Sequence, residues 1–212
     1  PFMPIALITG ATAGIGEAFT RLLAAKNYDL VLVARDEARL KERANSLAAQ
    51  YNISVEIIRA DLSKVADCEI VESRLRDQAN PIEVLINNAG FGINKAFTAS
   101  DLLDESALLD VLVRAPMRAM HAVLPVISAL CPGFTRTEFH QRGQMKMTGL
   151  PKFLWLSADR VVADAWFAAT TGKVICVPGK QYALLSFISR FGPRPLVRKL
   201  GMKVRVRQRK TK

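Results

Sequence analysis

Histidine and cysteine are scarce in this chain, and neither forms a cluster. Among 212 residues there are two histidines, His121 and His140, and three cysteines, Cys68, Cys131 and Cys176. Because the cysteines are odd in number and widely spaced, they fit neither a disulfide framework nor a paired-ligand metal site. We therefore predict no metal centre, and we expect the cysteines to be reduced core residues of a cytoplasmic protein.

Long apolar runs are missing as well. No uninterrupted stretch approaches the roughly 20 residues that cross a bilayer, and residues 1–4 carry no signal-peptide pattern. The chain is half hydrophobic and its mean hydropathy is +0.14. These values indicate a well-filled core rather than disorder, in a chain of the size of one α/β domain.

Acidic residues are absent from one region, the C-terminal extension that begins at Gly179. The formal net charge is +11, and the ten Lys and Arg between Arg190 and Lys212 leave about +1 for the rest of the chain. An apolar segment, Tyr182 to Phe191, precedes this basic run and could rest on an anionic membrane. It could equally pack over a substrate pocket or a neighbouring subunit. Without interleaved aromatics or a known motif, we predict no binding to nucleic acid.

A glycine-rich turn lies between an apolar strand, residues 5–8, and a helical pattern, residues 15–26. Gly10, Gly14 and Gly16 remove every Cβ from this turn, so the backbone can bend sharply and approach a ligand. The start of the helix offers free N–H groups and the positive end of its dipole to a pyrophosphate. The alternative is a glycine-rich connection that binds nothing.

The alternation of strand and helix continues along the chain. It predicts an α/β fold, a doubly wound parallel sheet with helices on both faces, of the Rossmann-like kind. Residues 1–178 are expected to form one dinucleotide-binding domain and residues 179–212 an extension. Asp36, Ser63 and Ser157 are expected to cap the helices that follow them. The further strands are predicted at 29–34, 54–59, 83–87 and 173–177, and the further helices at 36–50, 65–78, about 104–126 and 158–170.

The glycine spacing G-x-x-x-G-x-G and three later motifs resemble the short-chain dehydrogenase/reductase family. Those motifs are Asp61-Leu62 after the third strand, Asn87 to Gly90 after the fourth, and Cys131 to Thr137. The resemblance spans residues 5–137, fits a long-tailed bacterial subgroup loosely, and implies hydride chemistry in a homodimer or homotetramer. It also implies a cofactor site with the pyrophosphate at Thr9, Gly10, Thr12, Gly14, Ile15 and Gly16, the adenine at Asp61 and Leu62, the ribose and nicotinamide at Asn88, Ala89 and Gly90, and the carboxamide at Pro132, Gly133 and Thr137.

The end of the second strand decides between the two nicotinamide cofactors. An acidic residue there hydrogen-bonds the ribose 2′-hydroxyl of NAD, whereas an arginine accommodates the 2′-phosphate of NADP. The strand ends in Ala34-Arg35, and Asp36 is assigned to the helix cap. Arg35 therefore favours NADP over NAD, unless it is only a solvated surface charge.

The catalytic residues that the resemblance implies are missing. The family uses a Ser, a Tyr-x-x-x-Lys pair and an Asn, but none of Tyr28, Tyr51 and Tyr182 is followed four residues later by a lysine. Leu112 stands where the family has the Asn. Only residues 126–130 remain where the family has a strand, the catalytic helix and the next strand, so the catalytic residues stay unknown.

Two interpretations of this gap remain open. Either the sequence joins two segments of a longer chain, or the gene product lacks the intervening unit. Because the loss of a central strand and its covering helix would open a parallel sheet, the sequence favours the first interpretation.

We therefore predict an NADP-dependent oxidoreductase that interconverts a carbonyl and an alcohol. The apolar segment 134–156 suggests a lipophilic substrate, although its side chains could simply pack against the body. The alternative is a nucleotide-binding sensor or scaffold without catalysis, which the missing residues and Leu112 would favour. The apolar side chains of segment 134–156 are Phe139, Met145, Met147, Leu150, Phe153, Leu154 and Trp155.

Overall fold

The computed structural model describes residues 3–123, 127–142, 151–191 and 194. Its contacts divide the chain into two compact units. The first unit comprises residues 1–126 and 137–145, and the second comprises residues 127–136 and 146–212. The basic segment beyond residue 194 and the apolar residues 143–150 lie outside the described residues.

A four-stranded parallel sheet forms the centre of the first unit. Its strands are β1 (Ile5–Thr9), β2 (Asp29–Ala34), β3 (Val55–Arg59) and β4 (Ile82–Ile86), in the spatial order β3-β2-β1-β4. β1 and β2 are buried almost throughout, which explains why their sequences are continuous apolar runs without polar alternation. The predicted α/β, Rossmann-like fold class is confirmed.

Three helices follow the first three strands, as the alternation predicts. They are α1 (Gly14–Ala24), α2 (Glu37–Tyr51) and α3 (Val65–Leu75). Each one buries an apolar stripe. The stripe of α1 includes Phe19 and Leu23, and that of α2 includes Leu40 and Leu47.

The prediction of one long helix over 104–126 was wrong in its continuity. The structure has α4 (Leu102–Leu109), a π turn (Asp110–Arg114) and α5 (Ala115–Val123), and residues 124–126 are not described. Pro116 has no N–H to donate to the carbonyl four residues earlier. The wider turn before it, in which the Ala115 N–H donates to the Asp110 carbonyl, accommodates this loss.

Short elements make up the second unit. β5 (Ala129–Leu130) pairs in parallel with β8 (Ile175–Cys176), and β6 (Thr135–Arg136) pairs in parallel with β7 (Leu156–Ser157). The helices are α7 (Ala158–Thr170) and α8 (Lys180–Phe191), while the short α6 (Phe139–Arg142) belongs to the first unit. The predicted strand over 173–177 is thus shorter than expected, and α7 has its predicted bounds.

Two of the three predicted helix caps are confirmed. The Asp36 carboxylate accepts from the Arg39 N–H at 3.0 Å, and the Ser157 hydroxyl accepts from the Arg160 N–H at 3.3 Å. The Ser63 cap was wrong, because α3 begins after Lys64, which provides no side-chain cap. The Ser63 hydroxyl instead donates to the Asp61 carboxylate at 2.8 Å.

The outer edge of β4 differs from the rest of the sheet. Within residues 3–123, 127–142 and 151–191, no strand pairs with that edge, and most β4 side chains are only half-buried. This is the edge that a further strand would cover in a doubly wound sheet.

Cys68 and Cys176 are buried, as predicted for core residues, but Cys131 is exposed. Its place after the two-residue strand β5 gives it no core to enter, so that part of the prediction was wrong. Over the described part of the chain, no helix has the length and apolar character to cross a membrane.

Candidate functional site

The glycine turn joins β1 to α1 at the carboxyl edge of the sheet. Gly10 and Gly14 have φ angles of +67° and +61°, which L side chains rarely adopt. A Cβ on Gly10 would lie 2.8 Å from Asn88 Nδ2, and a Cβ on Gly16 would overlap the Gly10 carbonyl oxygen. All three glycines are therefore required by the close approach or the dihedral angles of the backbone.

The start of α1 offers its N–H groups without a competing side chain. Its N-cap is Ala13, which makes no side-chain cap hydrogen bond. Helices usually begin with a Ser, Thr, Asp or Asn that occupies these donors. Here the donors and the positive end of the dipole remain available to an anion, which is the arrangement that a pyrophosphate requires.

Thr9 and Asn88 fasten the glycine turn to the segment after β4. The buried Thr9 hydroxyl accepts from the N–H groups of Asn88 and Ala89, both at 3.0 Å, and donates to the Ile86 carbonyl at 3.3 Å. In return, Asn88 Nδ2 donates to the carbonyls of Thr9 at 3.1 Å and Gly10 at 3.2 Å. Hydrogen bonds thus connect the glycine turn to the Asn88–Ala89 segment, although the two motifs are about 80 positions apart in the sequence.

Arg35 and Asp61 lie at the same edge of the sheet, because β2 and β3 are parallel and Ala34 pairs with Arg59. The Arg35 side chain is exposed. Burial raises the pKa of the Asp61 carboxyl, but hydrogen bonds from Ser63 and the nearby charge of Arg35 outweigh it, so the pKa lies below its ordinary value. Arg35 is therefore close enough to Asp61 for their charges to interact.

Thr137 returns to the glycine turn within the first unit. Its Cβ lies 3.0 Å from the point where a Cβ on Gly14 would be. The neighbouring Glu138 carboxylate forms an ion pair with Arg39 of α2 at 3.2 Å. Arg39 was not predicted from the sequence, although its position in the first turn of α2, four residues after Arg35, was a signal that it could lie at the same edge of the sheet.

Leu112 lies on the π turn and approaches Gly90. Its Cδ2 atom lies 2.9 Å from the point where a Cβ on Gly90 would be. Leu112 therefore lies next to the segment after β4. However, an aliphatic side chain there offers no hydrogen bond to a water or a substrate.

Behind the Asn87–Gly90 segment, a small cavity lies between α3 and α5. It is lined by Thr9, Asn87 and Ala89 from the site and by Cys68, Glu72 and Arg118 from the helices, among others. The buried Glu72 carboxylate pairs with Arg118 and, at 3.1 Å, with Arg76. Burial raises the pKa of the Cys68 thiol above its usual 9.0, which disfavours the thiolate form of this cysteine in the cavity wall.

Pro132 and Gly133 belong to the second unit, where the side chain of Tyr182 of α8 lies against Gly133. The Tyr182 ring lies against Gly133 so closely that a Cβ there would overlap it. The Tyr182 hydroxyl accepts from the Phe134 N–H at 2.9 Å and donates to the Leu154 carbonyl at 2.6 Å. No signal in the sequence marked this role for a tyrosine in an apolar segment.

The first unit thus has the fold and the donor set of a Rossmann-like nucleotide-binding protein. A parallel sheet ends in a turn without side chains, a helix start without a cap and an arginine beyond the next strand, and together these fit a dinucleotide phosphate.

The comparisons with known proteins define the family. The family profile for short chain dehydrogenases matches residues 4–130. An uncharacterised oxidoreductase of Staphylococcus saprophyticus is 30% identical over 121 residues, which are 57% of this chain and 52% of that protein. A very-long-chain 3-oxoacyl-CoA reductase of Scheffersomyces stipitis is 28% identical over 180 residues, or 80% of this chain and 51% of that protein.

Solved structures agree with this result. A short-chain dehydrogenase from Sphingobium yanoikuyae in complex with NADPH matches with a TM-score of 0.78 and 26% identity, over 95% of both chains. A bulky-bulky ketone specific alcohol dehydrogenase from Comamonas testosteroni matches with a TM-score of 0.68 and 25% identity, over 90% of this chain and 93% of that one. The chain belongs to the short-chain dehydrogenase family. It spans about half the length of the curated relatives it matches.

The two tyrosines of the first unit, Tyr28 and Tyr51, lie away from the glycine turn. Tyr28 precedes β2 and therefore lies at the opposite edge of the sheet, and burial, with the charge of Glu83, raises its pKa above 10.0. Tyr51 is the last residue of α2. The Tyr182 hydroxyl is hydrogen-bonded to the backbone of Phe134 and of Leu154 in the second unit.

Proposed function

We propose that the protein is an NADP-dependent oxidoreductase that interconverts a carbonyl and an alcohol. One observation carries the proposal: a glycine turn locked to Asn88 by Thr9, with an uncapped helix start, at the edge of the sheet where Arg35 is exposed. When bound, the cofactor would supply the hydride. The residues of this chain would bind and orient it.

Most of the proposed contacts follow the geometry of the first unit. Thr9, Gly10, Thr12, Gly14, Ile15 and Gly16 would hold the pyrophosphate at the start of α1. Arg35 would pair with the 2′-phosphate of NADP, because a guanidinium forms charge-assisted hydrogen bonds with a phosphate. NAD has a hydroxyl group at that position instead. Asp61 and Leu62 would contact the adenine, and Asn88, Ala89 and Gly90 the ribose and nicotinamide. Pro132, Gly133 and Thr137 stay proposed contacts of the carboxamide.

We propose that the proton donor lies in a segment of the gene product that this chain lacks between residues 125 and 131. Two features of β4 support this: no described strand pairs with its outer edge, and its side chains are mostly half-buried, so a further strand would satisfy that edge. The family match, which ends at residue 130, supports it as well.

The proposed substrate is lipophilic. Phe139 and Phe153, both on the predicted substrate segment, are 43% and 69% exposed, so apolar surface is available there. The similar Comamonas protein is named for bulky ketones, and the Scheffersomyces protein for very-long-chain substrates. The assembly stays a proposed homodimer or homotetramer, and it is supported by the exposed apolar residues of α4 and α5, including Leu103 at 78% and Met117 at 57%.

Cofactor titration of the full-length gene product tests the proposal. Arg35→Ala should weaken NADPH binding at least about tenfold, since hydrogen bonds to charged groups contribute about 1.5–3 kcal/mol, and should leave NADH binding almost unchanged. Lys41→Ala is the matched control, because Lys41 is an exposed cation of α2 that pairs only with Glu37 among the described residues. Tighter binding of NADH than of NADPH by the unmodified protein would overturn the assignment of Arg35.

A second candidate is a nucleotide-binding sensor or scaffold. Leu112 favours it, because this side chain stands against Gly90 where a hydrogen-bonding residue would be needed. Oxidation of NADPH by a panel of carbonyl compounds separates the two candidates. Turnover by the full-length gene product supports the enzyme, and tight binding without turnover supports the sensor.

A further inference from the structure

We propose that α8 docks on an anionic membrane surface, lying in the plane of the interface with its apolar stripe among the lipid chains. The proposal is independent of the redox function, because it rests on the second unit alone. α8 has 12 residues, or about 18 Å at the usual rise, so it is too short to span a bilayer but long enough to lie on one.

The apolar stripe follows one face of α8. Leu184, Phe187, Ile188 and Phe191 stand at the spacing i, i+3, i+4 and i+7, which places them along one line of a helix. They are 60%, 61%, 36% and 66% exposed, and the adjacent Leu185 is 50% exposed. Such a continuous exposed apolar face is unusual for a free surface.

The orientation of the stripe is set by Tyr182. This residue bonds to the backbone of Phe134 and of Leu154, so it marks the side of α8 that faces the body of the second unit. At 100° per residue, Tyr182 stands roughly 170° around the axis from the centre of the stripe. The stripe therefore faces away from that body.

The charge of the region selects the partner. Residues 165–212 contain 12 Lys and Arg and no acidic residue. Two of these cations, Lys180 and Arg190, stand on α8 itself, where long basic side chains can reach the headgroups while the stripe enters the apolar layer. Clustered cations next to an apolar helix are attracted to anionic lipid.

The same charge disfavours a second copy of the chain as the partner. Stripe-to-stripe packing would bring two such regions together, with 12 cations each and no acid to offset them. This repulsion weakens self-association, whereas a surface of anionic lipid is complementary to it.

Vesicle co-sedimentation of the full-length gene product tests the proposal. The protein should bind vesicles of phosphatidylcholine with about 30 mol% phosphatidylserine, should bind pure phosphatidylcholine at least about tenfold less, and should be released in part as NaCl rises from about 50 to about 500 mM. Binding that is equal on both lipids would overturn the electrostatic half of the proposal.

A matched pair of variants tests the apolar half. Phe187→Gln removes an aromatic ring from the stripe and should reduce vesicle binding about tenfold, the change expected when one large apolar side chain no longer leaves water. Phe167→Gln, at an equally exposed position of α7 (62% against 61%), should bind like the unmodified protein. Equal binding by both variants would show that the basic segment alone holds the membrane and would overturn the role of the stripe.

A third measurement is independent of variant affinity. Tryptophan at position 187 (Phe187→Trp) should be quenched by brominated lipid and shift to shorter wavelength, whereas Phe167→Trp should do neither after the signal of the two native tryptophans is subtracted. Light scattering distinguishes the rival partner. If Phe187→Gln converted an oligomer to a monomer without changing vesicle binding, the stripe would be a subunit interface and the proposal would be wrong.

Discussion

The hydroxyl of Thr9 offers the sharpest test of how the site is held together. It is the shared acceptor of two backbone N–H groups, those of Asn88 and Ala89. Thr9→Val keeps the volume and the branched shape of the side chain but removes the oxygen. The substitution therefore changes hydrogen bonding with almost no change in packing.

The expected loss follows from those two bonds. Each backbone hydrogen bond contributes about 1 kcal/mol, and a donor left without a partner costs more when it is shielded from water. Asn88 and Ala89 are half-buried, so we expect Thr9→Val to lower the free energy of unfolding by about 2–4 kcal/mol. Thr9→Ser keeps the oxygen and deletes one buried methyl group, at a cost of about 1 kcal/mol.

Urea unfolding followed by far-UV circular dichroism measures both variants. Thr9→Val should also weaken NADPH binding more than Thr9→Ser, because the backbone of Ala89 loses its fixed distance from the glycine turn. The reasoning is refuted if Thr9→Val is as stable as Thr9→Ser, or if the serine variant binds NADPH as weakly as the valine variant does.

Four further predictions concern single substitutions. Gly16→Ala should weaken NADPH binding and lower the melting temperature, because the new Cβ meets the Gly10 carbonyl oxygen; an unchanged dissociation constant would contradict this. Arg118→Met should destabilise the protein by about 3 kcal/mol, since the Glu72 carboxylate, which is 8% exposed, loses a partner. Arg76→Met, at a side chain that is 52% exposed, should destabilise it by less than about 1 kcal/mol. Equal losses of stability in the two variants would refute this difference. The pKa of Asp61 is lower in the folded state than in the unfolded state. Its ionised carboxylate therefore contributes fully to stability above the unfolded pKa of about 4, and this contribution is lost as the pH falls through the lower folded value. Between about pH 4 and pH 2, Asp61→Asn should therefore lose less stability than the unmodified protein does. Ser157→Ala should destabilise α7 by about 1 kcal/mol, and the fluorescence of Trp155 and Trp166 in the second unit would follow the change during unfolding.

Local signals in the sequence were sufficient for several elements. The continuous apolar runs of β1 and β2 and the glycine spacing each fix a backbone conformation within a few residues, so β2 was predicted with its observed bounds. In the second unit, α7 was also predicted with its observed bounds. Asp36 was recognised as a cap for the same reason, since a cap bonds three residues away.

The sequence did not reveal which of several local partners a side chain uses, nor the contacts between distant residues. Ser63 was wrongly assigned as a cap. A serine before a helix can bond either to a helix N–H or to a nearby side chain, and here its hydroxyl donates to the Asp61 carboxylate. The π turn before Pro116 interrupts the regular helical spacing between α4 and α5, and the spacing of apolar residues alone does not reveal it. The role of Tyr182 depends on Phe134 and Leu154, 48 and 28 positions away, and nothing in its own neighbourhood indicates them.

The position of these contacts makes binding and chemistry separable in this chain. The polar contacts described for the glycine turn come from the segment between Thr9 and Ala89, and β1, β2 and β4 hold that segment in register. The proton donor, in contrast, is proposed to lie on a further strand and helix next to the edge of β4 with which no described strand pairs. Because a cofactor site with fixed backbone donors needs no contribution from that edge, this chain should bind NADPH even where it does not turn over a substrate. Titration therefore tests the glycine turn, and turnover tests the missing segment, so failure of one assay does not count against the other.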